Sequence, residues 1–265
     1  MKRLMSYKII SGKTVEERKA VMDTGRSNEK KRRGQRVKGR STLTKIQNNE
    51  REAVKILART LNCNFGAGDL WLTLTYGPDR LPADVEAGRK DLSRFMRNVR
   101  RAFAAEHGRN PQYVTCTSVR DSKTGEAVRL HHHVVMERAA YEIVCRLWPQ
   151  EDLAYRLLDG RGDYTGIARY MVSQADNGTD AKKWSTSRGN MAKPIYTEPV
   201  PVTEEEQIKI PAGAVIREQY KIDDRESGQY NEYVRYTDPG KPAPKKPKDR
   251  KPRKKKRKTR QHKKH

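Results

Sequence analysis

The chain has 265 residues, with 58 Lys and Arg against 33 Asp and Glu, a formal net charge of +25. That excess points to a polyanionic partner, nucleic acid ahead of an anionic membrane surface. No apolar run approaches the roughly 20 residues a spanning helix needs, and the basic start MKRLMSYKIISGKTVEERK lacks the continuous apolar stretch of a secretory signal.

Residues 1–43 are polar and basic with scattered Gly and Ser, and read as a flexible arm. In TKIQNNEREAVKILARTL, residues 44–61, Ile46, Ala53, Leu57 and Leu61 recur at helical spacing. Leu70, Leu72 and Leu74 alternate with polar or aromatic neighbours in a run bounded by Gly66 and Gly68 on one side and Gly77-Pro78 on the other. That pattern predicts a strand. From Ala83 to Glu106, Leu92, Phe95, Met96, Val99 and Phe103 mark the apolar stripe of a long helix whose other face is rich in Arg. Residues 112–120 and 127–136 form a predicted hairpin around the turn at Asp121–Gly125, and residues 141–148 and 163–175 are predicted helices. The chain then turns irregular after Trp184, with short strands expected near 214–222 and 230–236.

The order strand, helix, hairpin, helices predicts an α+β domain over residues 44–238, a central antiparallel sheet with helices on one face. Residues 239–265 follow as a Lys/Arg-rich tail. From Lys241 onward fifteen Lys and Arg stand against one Asp, so the segment cannot bury enough surface to offset its ordering entropy, and disorder is expected. Lys254, Lys255, Lys256, Arg257 and Lys258 are its densest part, suited to sequence-independent contact with phosphates. Cys63, Cys116 and Cys145 are odd in number and form no Cys-x-x-Cys pair. They argue against a zinc finger or a disulfide framework and for a reducing, cytoplasmic compartment.

The chemistry concentrates in Leu130-His131-His132-His133-Val134-Val135-Met136. On a strand, alternate side chains share a face, so His131 and His133 project together while His132 points behind. Two imidazoles so placed can reach one divalent cation.

The strand LWLTLTY at 70–76, the run LHHHVVM, and DYTGIARYMVSQ at 163–174 occur in the order found in HUH endonucleases. From Leu70 to Tyr236 the chain resembles the replication-associated proteins of bacterial phages, plasmids and integrative elements. The stretches KKWSTSRGNMAKP and IREQYKIDDRESGQYNEYVRY share that resemblance. It implies a rolling-circle replication initiator that nicks single-stranded DNA at an origin by tyrosine attack and later rejoins it. It further implies Mg²⁺ or Mn²⁺ on His131 and His133, Tyr170 as nucleophile with Tyr164 as runner-up, a bacterial host cytoplasm, and a helicase and polymerase from host or element as partners. No GxxxxGK[ST] motif is present, so unwinding falls to another protein.

Two positions depart from the family's pattern. Ser173 stands where members carry a Lys three residues after the tyrosine, with Arg169, Lys182 and Lys183 as candidate substitutes. The strand before the histidines has no Glu. Asp121 is its nearest carboxylate and the candidate third ligand, with Ser118 and Glu126 behind it. The alternatives are a non-catalytic nucleic-acid-binding protein with a structural His run, and a metal-dependent nuclease that uses water.

Overall fold

The computed structural model describes residues 2–23, 43–121, 123–148, 153–175, 183–224, 229–241, 246 and 248. Strands β1 (Lys2–Ser11) and β2 (Thr14–Asp23) are followed by helix α1 (Leu43–Asn64), strand β3 (Leu70–Leu74) and helix α2 (Val85–His107). The β4–β5 hairpin (Tyr113–Arg120 and Ala127–Met136) leads to α3 (Tyr141–Leu147), β6 (Leu153–Leu157) and α4 (Thr165–Gln174). Short strands β7 (Ser185–Thr186), β8 (Ile195–Tyr196) and β9 (Val200–Pro201) precede the long β10 (Val215–Asp224) and β11 (Gln229–Thr237).

The strands make two antiparallel sheets. One has the order β6-β3-β5-β4-β7; the other runs β10-β11-β2-β1-β8, with β9 also on β1. The α+β class holds, but two expectations are corrected. There are two sheets, and helices cover both faces of the first. On one face Leu70, Leu72, Leu74, Val134 and Met136 pack against Leu92, Phe95, Met96, Val99 and Phe103 of α2 and against Ile143 and Val144 of α3. On the opposite face Val114, Cys116 and Val135 pack against Leu57 and Leu61 of α1 and Ala168, Met171 and Val172 of α4. A sheet apolar on both faces must be covered twice.

Local signals set the ends of α2. Asp84 caps it by accepting a hydrogen bond from Ala87 N at 2.7 Å, and Gly108 leaves it with φ 70°.

The expected flexible arm at 1–43 is corrected over residues 2–23, which form a hairpin in the second sheet, while 24–42 lie outside the described residues. Its turn uses Gly12 at φ +58°, where a Cβ would lie 2.1 Å from Asn62 O, so only glycine lets the turn press onto α1. The strands read as polar because they carry charges, yet those charges are paired. Lys8 meets Glu17 at 2.8 Å, Arg59 meets Glu16 at 2.6 Å, and Lys19 meets Glu232 at 3.5 Å. Strand β6, for which the sequence pattern predicts no element, adds to β3 at the sheet edge.

At the other end of the chain, Lys246 reaches Asp69 Oδ2 at 2.6 Å and Asn64 O at 2.9 Å, so this one tail residue is docked. Lys254, Lys255, Lys256, Arg257 and Lys258 lie outside the described residues.

Candidate active site

Register decides which histidines meet. In β5, His133 stands opposite Thr73 of β3 and Cys116 of β4, while His132 stands opposite Leu74 and Thr117. His131 and His133 therefore share the α4 face of the sheet, and His132 points into the α2 side.

His132 is fully buried there, bonded through Nε2 to the Tyr76 hydroxyl at 2.7 Å and through Nδ1 to Thr117 Oγ1 at 3.1 Å. Burial pushes its pKa down to about 3, followed by repulsion from His131 and His133. It is a neutral structural link.

The other pair forms a site. His131 Nε2 lies 3.1 Å from His133 Nε2, with the rings edge-on at 4.8 Å between centroids. His131 Nδ1 donates to Arg129 O at 2.8 Å, which leaves the lone pair on Nε2, facing its neighbour. His133 Nδ1 lies 3.3 Å from Thr73 Oγ1. Burial first, then the charge of His131, depresses the His133 pKa to about 4, so this imidazole is neutral at pH 7 with an electron pair to give.

A third donor comes from α4. Gln174 Oε1 sits 2.9 Å from His133 Nε2, and the side chain is buried. Gln174 escaped the sequence reading, which sought the third ligand on the strand preceding the histidines. Its signal was its position four residues after Tyr170, on the same helical face.

The candidate Asp121 is placed elsewhere. Its carboxylate accepts from Lys123 N and Thr124 N at 2.8 and 2.9 Å, held by the hairpin turn at the surface. Those turn hydrogen bonds also lower its pKa. Glu126 lies across that turn, its carbonyl accepting from Asp121 N. Among the described residues no group of three His, Cys, Asp or Glu side chains could hold a metal. Any cation here would be held by His131, His133 and Gln174. The separations of 3.1 and 2.9 Å match those between neighbouring ligand atoms about 2.1 Å from one ion.

Tyr170 lies on this cluster and Tyr164 does not. The Tyr170 ring is 5.1 Å from His133 and 5.5 Å from Trp71, and it is half-buried. Tyr164 is the residue before α4, buried in the α1–α4 core, with a hydroxyl that has no hydrogen-bond partner among the described residues. Burial holds its pKa far above the ordinary tyrosine value.

The substitutes considered for a lysine at Ser173 are dispersed. Ser173 Oγ donates to Tyr170 O at 3.0 Å, a bond internal to the helix. Arg169 lines the cleft between α1 and the second sheet, on the side of α4 away from the histidines. Lys183 pairs with Glu50 at 2.7 Å, and Lys182 lies outside the described residues.

Two anchors hold α4 over the site. Arg235 of β11 binds Asp163 Oδ1 at 3.0 Å and also contacts the Thr165 hydroxyl, while Asp163 Oδ1 accepts from Thr165 N at 3.0 Å. At the far end, Ala175 bridges to Ser118 of β4. The helix carrying Tyr170 and Gln174 is therefore clamped between both sheets.

No protein-family model, curated protein or solved structure matches this chain. Among the described residues no helix is long and apolar enough to cross a membrane.

Proposed function

We propose that this protein is a single-strand DNA nicking and joining enzyme of the HUH type, acting through Tyr170 in rolling-circle replication. One observation carries the reading. A half-buried tyrosine and a glutamine one turn apart on α4 converge with the His131–His133 pair on the facing strand. Structural packing alone has no need to gather three polar donors around one point beside a phenol.

In the reaction the Tyr170 hydroxyl oxygen attacks a phosphodiester phosphorus. The bond from phosphorus to tyrosine oxygen forms as the bond to the 3′-oxygen breaks. The phenolic proton is lost to the medium and the 3′-oxygen gains one, leaving a 5′-phosphotyrosine and a 3′-hydroxyl. Because one phosphodiester replaces another, the step reverses when a 3′-hydroxyl re-enters, and the strand is rejoined.

Trp71 packs edge-on against the Tyr170 ring and fixes its direction, as a nucleophile needs. His131, His133 and Gln174 would hold Mg²⁺ or Mn²⁺, whose role is to polarise the scissile phosphate and stabilise charge developing on it. The basic tail, including Lys254–Lys258, adds phosphate contacts without sequence preference. A helicase and a polymerase would act beside it, in the cytoplasm of a bacterial host.

The test is incubation with labelled single-stranded origin DNA and Mn²⁺, followed by a denaturing gel. A covalent protein–DNA adduct supports the reading. Cleavage to a free 5′-phosphate without adduct replaces it with water attack, and no cleavage replaces it with a non-catalytic binding protein.

A further inference from the structure

Away from the histidine face, a groove of about 790 Å³ runs between α2 and the β4–β7 edge of the first sheet. Arg89, Arg97 and Arg100 form one wall, at helical positions i, i+8 and i+11, a stripe about 16 Å long at 1.5 Å per residue. Arg188 lines the groove from beyond β7, together with Lys183, whose charge is paired with Glu50 at 2.7 Å. Among the described residues the one acidic side chain in the lining, Glu86, is already 3.9 Å from Lys90.

Like charges stacked on one helix face repel one another, so the stripe is a local cost to α2. Among the described residues Arg97, Arg100 and Arg188 have no acidic partner to offset it. Two half-buried aromatics, Tyr113 and Trp184, also line the groove, together with the hydroxyl-bearing Thr115, Ser185 and Thr186. Cationic walls with interleaved aromatic rings are what a single polynucleotide strand requires, phosphates against the charges and bases against the rings. A flat anionic bilayer could not reach the floor of such a groove.

The groove also leads toward the site. Strand β7 covers β4 only at Val114 and Thr115, and the groove continues past it to Cys116 and Thr117. Those residues pair with His133 and His132, one strand spacing of about 4.8 Å away.

We infer that this groove is a track for single-stranded DNA, binding the backbone of the strand whose scissile phosphate lies on the other face. The inference rests on the proposed function only for the identity of that strand as the enzyme's substrate. The bound strand would turn around the β4 edge to pass from the groove to Tyr170.

The experiment uses the full chain and a fluorescent oligo-dT of roughly 16 nucleotides, with affinity measured across a salt series. Arg97→Gln/Arg100→Gln removes two groove charges and should lower the slope of log affinity against log salt by about 1.4, at about 0.7 per phosphate contact. Arg80→Gln/Arg217→Gln removes two exposed charges outside the groove and should leave the slope unchanged. Thermal melts verify that both variants are folded. An unchanged slope in the groove variant, an equal loss in the control, or no binding of oligo-dT by the parent chain overturns the track.

Adduct formation is scored in parallel. A parent chain that forms the adduct while the groove variant keeps its slope refutes the groove and spares the tyrosine reading. Groove-dependent slope without an adduct does the reverse.

Discussion

The ring of Tyr170 rests 5.1 Å from that of His133, and Gln174, one helical turn further along α4, places its Oε1 2.9 Å from the same imidazole. One helix thus brings both a phenol and a carboxamide to histidines that come from a distant strand. The pairing separates two tyrosines that lie six positions apart.

Tyr170→Phe removes a hydroxyl and keeps the ring that packs on Trp71 and His133. It should abolish the covalent DNA adduct without lowering the melting temperature by more than about 1–2 °C. Tyr164→Phe should leave the adduct intact, because that side chain is buried in the α1–α4 core away from the histidines. Peptide mapping of the trapped adduct decides, and a nucleotide on Tyr164 would move the active site.

Gln174 makes a prediction about metal that can be read without turnover. Gln174→Ala should weaken Mn²⁺ binding, measured by calorimetry, by roughly 10–100-fold. Gln174→Glu supplies a charged oxygen in the same place and should bind Mn²⁺ at least as tightly as the parent. Equal affinities in all three proteins would take Gln174 out of the site.

His132 should matter for stability and not for chemistry. His132→Ala leaves a cavity and strands the Tyr76 hydroxyl, at a cost of about 2–4 kcal/mol in urea unfolding. The adduct should still form at temperatures where the variant is folded.

Acid should also destabilise the parent protein. Burial sets the folded pKa of His132 at about 3 and of His133 at about 4, below the ordinary 6.5. Their stabilising contribution is complete above pH 6.5. It is lost as pH falls toward 4, because the unfolded chain takes up protons that the folded one refuses. In EDTA the urea midpoint should therefore drop between pH 7 and pH 4.5, and His132→Ala should show a shallower drop.

The clamp on α4 depends on the largely buried Arg235–Asp163 pair. Arg235→Ala leaves the Asp163 carboxylate without its cation and should cost about 3–5 kcal/mol. At temperatures where the variant is still folded, the rate of adduct formation should fall, since Tyr170 loses its fixed place. An unchanged rate in a folded variant would show that Ser118–Ala175 alone positions the helix.

Elements with strong periodicity were legible in the amino acids alone. The α2 stripe from Leu92 to Phe103, the β5 boundaries at Ala127 and Met136, and the alternation that separates His132 from His131 and His133 follow from local geometry, with periods of 3.6 and 2.0. The β1–β2 hairpin was not legible, because its charges look solvated until Arg59 and Glu232 arrive from α1 and β11 to pair with Glu16 and Lys19. Nor was β6, a strand without buried alternation that exists by adding to β3.

At the site the division is the same. A pair of histidines on one strand face is a property of the strand, and the chain encodes it within three residues. Which tyrosine meets them, and which side chain joins them, depends on where α4 docks. That docking is decided by the cross-chain contacts of Asp163 with Arg235 and of Ala175 with Ser118, and no local period carries such contacts.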